Sequence, residues 1–130
     1  MIILKSEIMY IELKTGFNDK GPAWIGRVKF SKTKQTIYFL NKAFKKGSFY
    51  YGNYTDIETG ESYWISGLKK NGQDRHWAGS GKIMIDKKVI NEYLELTGQK
   101  LLEESKFIKI DIPDEYPIER INEIENNKNI

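Results

Sequence analysis

With 130 residues, 39% of them hydrophobic, the chain can bury one sizeable core and is too short for two ordinary domains. It holds no cysteine, which excludes disulfides, thiolate metal centres and cysteine nucleophiles, and its first residues form neither a basic leader nor a membrane span, so a soluble cytoplasmic protein is expected. The formal charge is +3, but residues 1–102 hold 17 cations against 10 anions and residues 103–130 hold 4 against 8, a basic body before an acidic end.

Residues 7–14 combine β-branched and aromatic side chains with partial alternation, and the run Thr15 to Pro22 breaks them off, which predicts a first strand. Ala23 to Phe30 alternates, placing Trp24, Val28 and Phe30 on one face with Gly26 between them, where a missing side chain permits close packing. Ser31 to Lys34 connects this strand to an antiparallel neighbour over 35–40. Residues 41–60 are rich in turn formers and predict a loop with one short strand.

From Glu61 to Ala78 the chain predicts a hairpin, because Asn71-Gly72 suits a type I′ turn between two runs of β formers. In that register Gly67 faces His76 and Ser66 faces Trp77, with Trp64, Ser66 and Leu68 on the face opposite Tyr63 and Ile65. Residues 82–85 read as another short strand or as an extension of the second arm. At Asp86 the period changes to that of a helix capped by Asp86, carrying Val89, Ile90, Tyr93 and Leu94, and ended by Gly98. Residues 106–112 return to alternation and Pro113 stops them; Pro117 can open a last helix with Ile118, Ile121 and Ile124.

These elements predict an α+β fold, a small curved antiparallel sheet or partly open barrel with one or two C-terminal helices. Residues 1–112 form the single domain, and 113–130 an acidic segment with a short helix and a frayed end. Trp24, Val28, Ile37 or Tyr38, Ile65 and Val89 are expected in one core.

His76 is the lone imidazole, and with Asp74 or Glu61 it could serve acid–base chemistry in a small hydrolase. No serine is placed to complete a triad, and a satisfied strand histidine is the plainer expectation. The glycines make no dinucleotide fingerprint or phosphate loop, so no cofactor and no metal centre is expected. Tyr51, Tyr54, Trp64 and Trp77 interleave with Lys69, Lys70 and Arg75, and Lys45 and Lys46 lie nearby, the combination that base stacking and phosphate contact need. Aromatic residues in a small β domain also make its core, and the sequence leaves both readings open.

The blocks Gly21-Pro22-Ala23-Trp24-Ile25-Gly26-Arg27-Val28, Gly52-Asn53-Tyr54, Tyr63 to Gly67 and Asp74 to Gly79 resemble a family of short, uncharacterised bacterial proteins across roughly residues 21–95. Some similar chains carry the name deoxyxylulose-phosphate synthase. That name implies thiamine-diphosphate chemistry, which needs several large α/β domains and a Gly-Asp-Gly motif, and this chain has neither. The expectation is therefore a noncatalytic binding module for a nucleic acid, another anionic partner or a protein, with His76-based catalysis as the alternative and self-association as a third reading.

Overall fold

The computed structural model describes residues 6–14, 22–47, 52–69, 82–113 and 116–127. Six strands run in chain order: β1 (Ser6–Lys14), β2 (Ala23–Phe30), β3 (Thr36–Phe39), β4 (Lys42–Lys46), β5 (Tyr54–Asp56) and β6 (Ser62–Gly67). Each pairs antiparallel with the next, and β6 returns to β1, with Met9 opposite Gly67 and Lys14 opposite Ser62. The barrel is therefore closed, where sequence periodicity predicted a curved sheet or a partly open barrel, and closure leaves its strands no long free edge.

On one side β2 pairs with β3 only through Lys29 and Phe30. The rest of that edge takes β7 (Ile83–Asp86) in parallel, and β7 carries β8 (Phe107–Ile110), also parallel. An all-antiparallel sheet was the expectation; β2–β7 and β7–β8 are parallel, the latter joined by a crossover through α1 (Ile90–Thr97). Asp86 accepts the Lys88 N–H at 3.2 Å and opens a 3-10 turn into α1, and Gly98 closes the helix at φ 69°. The second helix, α2 (Ile118–Asn127), lies over β3 and β4. The fold is thus mainly β, with two short helices, rather than an even α+β mixture.

Alternation assigns each strand two apolar faces. Ile11, Val28, Ile37, Phe39, Phe44, Tyr63 and Ile65 fill the barrel, joined by Ile112 from beyond β8. Ile8, Tyr10, Ala23, Ile25, Ile83 and Ile85 point outward beneath Val89 and Tyr93. Tyr38 and Ala43 meet Ile121 of α2 in a third cluster. The single core expected from periodicity is corrected on this point: the barrel wall separates Val28, Ile37 and Ile65 from Val89, and Trp24 is only partly buried.

Gly26 does what its place in the alternation suggested. A Cβ there would lie 2.6 Å from Phe39 Cε1, so the missing side chain lets a fully buried ring cross the barrel interior. The segment 41–60 holds two strands, not one, because the lysine-rich Lys42–Lys46 run buries Ala43 and Phe44.

The expected hairpin over 61–78 is described only in its first arm, as β6; its Asn71-Gly72 turn and second arm lie outside the described residues. The faces of that arm alternate as the pattern requires, with Tyr63 and Ile65 buried and Trp64 exposed. Its ladder partners are β1 and β5. At Ile65 the side chain of Asn53 takes the place of a strand: its Nδ2 donates to Ile65 O and its Oδ1 accepts from Ile65 N, both at 2.8 Å.

Candidate functional site

The ends of the barrel are set by strand direction. At one end β2 turns into β3, β4 finishes, β5 starts and β6 leaves, so four stretches distant in sequence meet there. The β2–β3 turn is closed by Ser31, whose N–H donates to Thr36 O at 2.9 Å and whose hydroxyl accepts from Thr36 N at 3.1 Å. Lys34 adopts φ 61° at its tip. The end of β4 lies against this turn, with Lys45 opposite Thr36 and Lys46 N donating to Gln35 O at 3.1 Å.

Lys32, Lys34, Lys45 and Lys46 are thereby gathered at one end, all exposed. None of these four has an ion-pair partner among the described residues, whereas Lys14, Lys42, Lys87, Lys88, Lys106 and Lys109 are all held by carboxylates. Four uncompensated ammonium groups so close together raise the local positive potential and attract anions over about one Debye length, ~8 Å at physiological salt. Lys69, exposed and two residues beyond β6, arrives at the same end. The sequence pointed to Lys45, Lys46 and Lys69; it missed Lys32 and Lys34, which read locally as a solvated turn.

The aromatic half of the expectation divides. Trp64 is 41% exposed on the outer face of β6. Tyr54 is partly buried against the barrel-interior cluster, and burial raises its pKa. Tyr63 is buried beside Phe44, ring centroids 4.6 Å apart, and its hydroxyl is pushed up to about 12, first by burial and then by Glu61 and Asp56. Tyr51, Lys70, Asp74, Arg75, His76 and Trp77 lie outside the described residues.

Of the acidic residues near the alternative catalytic reading, Asp56 has structural partners for its carboxylate and Glu61 for its backbone. Glu61 is exposed in the β5–β6 turn, where its carbonyl accepts the Asp56 N–H at 2.9 Å. Asp56 is fully buried, accepting from Glu58 N at 2.9 Å and facing Lys42 Nζ at 3.2 Å. This is the work of a turn-closing aspartate. No group of three or more histidines or carboxylates among the described residues could hold a metal ion.

Two further features stand on the outer face of β1. Glu12 is 3% exposed; Tyr10 donates its hydroxyl to Glu12 Oε1, and Lys14 Nζ lies 2.8 Å from Oε2. Lys14 stands opposite Ser62 on the neighbouring strand, but an ammonium beside a carboxylate is a poor general base for that serine. At the other end of β1 a groove of about 430 Å³ runs between Ile8, Leu68 and Leu96. Its walls include the pair Arg27 Nη2–Glu92 Oε1 at 2.7 Å, which spends the guanidinium charge internally.

The C-terminal stretch packs on the barrel in two described places: Lys29 Nζ lies 4.3 Å from the centre of the Tyr116 ring, and α2 docks on β3 and β4. Helix α2 buries Ile121 against Tyr38 and Ala43, and Arg120 forks onto Glu58 at 2.8 and 3.1 Å while donating to Asn41 O at 2.8 Å. Glu58 and Asn41 belong to turns at the opposite barrel end. No described helix is long and apolar enough to cross a membrane. No family model, curated protein or solved structure matches this chain.

Proposed function

We propose that this chain is a small noncatalytic binding module for a polyanion, best represented by a single-stranded nucleic acid, and that the lysine end of the barrel is its contact surface. One observation carries the reading: Lys32, Lys34, Lys45 and Lys46 converge from the β2–β3 turn and the end of β4 without a carboxylate among the described residues to neutralise them. Ion pairs with carboxylates engage half of the cations among the described residues, and none of those pairs lies in this group of four. A polyanion would gain affinity chiefly by releasing its condensed counterions.

The test is a fluorescence-anisotropy titration of a labelled single-stranded oligonucleotide between about 50 and 200 mM salt. Changing all four lysines to Gln should weaken binding and flatten the salt slope by roughly 0.7 for each phosphate that is no longer neutralised, about 3 in total. Changing Lys69, Lys70 and Arg75 to Gln in parallel asks whether the 61–78 segment contributes. Folded wild-type protein that shows no salt-dependent binding at the lowest salt would overturn the proposal, as would a quadruple variant that binds like wild type.

A further inference from the structure

Closure of the barrel leaves one sheet edge unused among the described residues, the outer edge of β8. Its backbone direction can be read from one bond. Ile83 N donates to Lys106 O at 2.9 Å, so the peptide groups of even-numbered residues along β8 face β7. Those of Phe107 and Lys109 consequently face outward, ready to pair with another strand.

The same strand exposes an apolar side chain. Phe107 points toward α1, so Ile108 stands on the opposite face, where it is 48% exposed. Ile108 is registered against Met84, and Met84 against Trp24. Ile108, Met84 and Trp24 thus form a row across β8, β7 and β2 on the face that α1 does not cover, and Met84 and Trp24 are both partly exposed.

We propose that β8 pairs antiparallel with β8 of a second copy of this chain, around a two-fold axis at Ile108. Parity and charge select this register. Outward-facing residues must oppose outward-facing residues, so the two-fold can sit on any of the four residues of β8 and nowhere between. Centring on Lys109 sets two ammonium groups directly opposite each other, which destabilises a strand pair. Centring on Phe107 asks the 104–106 turn to act as strand, and centring on Ile110 asks the same of residues 111–113, where Ile112 is buried in the barrel.

Centring on Ile108 avoids both faults. It sets Ile108 against its own copy and Phe107 against Lys109, with no like charges opposed and no turn residue needed. The Trp24–Met84–Ile108 row then continues into the same row of the second copy, covering the exposed isoleucine on both sides. The interface is isologous, as a two-fold dimer requires.

The absence of cysteine makes the test clean. Residues opposed in a non-hydrogen-bonded antiparallel pair have Cα atoms about 4.5 Å apart, within disulfide reach. Ile108→Cys should therefore form a disulfide dimer under mild oxidation, while Lys109→Cys, made as a control for the neighbouring register, should not. Analytical ultracentrifugation should find wild type near twice the chain mass of 15.2 kDa and Ile108→Asp near that mass, with unchanged circular dichroism. Wild-type protein that stays monomeric at high concentration would overturn the proposal and leave the edge to a different partner. Equal cross-linking through Lys109→Cys would overturn the register, and a dimer that survives Ile108→Asp would place the interface elsewhere.

Discussion

The side chain of Asn53 completes the ladder of a strand it does not belong to, and removing it should cost more than a partly exposed asparagine ordinarily does. Its amide makes two hydrogen bonds of 2.8 Å to Ile65, a residue only 2% exposed. Each is worth about 0.5–1.5 kcal/mol net, and a buried peptide group left unpaired costs about 1–3 kcal/mol. Asn53→Ala deletes both bonds at once, so a loss of about 2–4 kcal/mol is expected in urea denaturation at neutral pH. Asn53→Asp is the sharper probe. Its ionised carboxylate can accept from Ile65 N but meets Ile65 O with a second acceptor, whereas its protonated form restores both bonds.

That preference raises the folded-state pKa of the introduced carboxyl above its unfolded value, ~3.9 for an ordinary aspartate. The sign then follows from linkage: the Asp variant's stability relative to wild type is greatest below about pH 4 and falls as pH rises through the folded-state pKa. Denaturation curves at acidic and neutral pH, each referenced to wild type, would show it. A loss under about 0.5 kcal/mol for Asn53→Ala, or an Asp variant whose deficit ignores pH, would refute the claim that this amide stands in for a strand.

Two further outcomes follow from the barrel interior. Gly26→Ala must displace the Phe39 ring, because its Cβ would sit 2.6 Å from Cε1, and should cost about 1–3 kcal/mol in chemical denaturation; combined with Phe39→Leu, the pair should cost less than the sum of the single changes. Tyr63, with a folded-state pKa of about 12 against 10.0 for the free group, ionises first in the unfolded chain, so stability falls as pH rises from about 10 to 12, by up to ~2.7 kcal/mol; Tyr63→Phe should remove that share of the alkaline loss in matched denaturation series.

Much of the local architecture was legible in the chain itself. The bounds of β2, the Asp86 and Gly98 caps of the helical segment, the role of Gly26 and the two faces of β6 all rest on spacing within a few residues, where side-chain alternation, capping and missing Cβ atoms act directly. What the tertiary structure decided depends on which strand finds which. Pairing of β6 with β1 closed the barrel and split the apolar residues between its interior and its outer layers. Lys42–Lys46 became a strand through Ala43 and Phe44, because burial outweighed its weak local pattern. For the candidate site, sequence supplied the cations but not their company. Lys32 and Lys34 joined Lys45 and Lys46 only when the β3–β4 register brought Gln35 to Lys46. Register between distant strands is a collective property of all the side chains they bury, and no local window contains it.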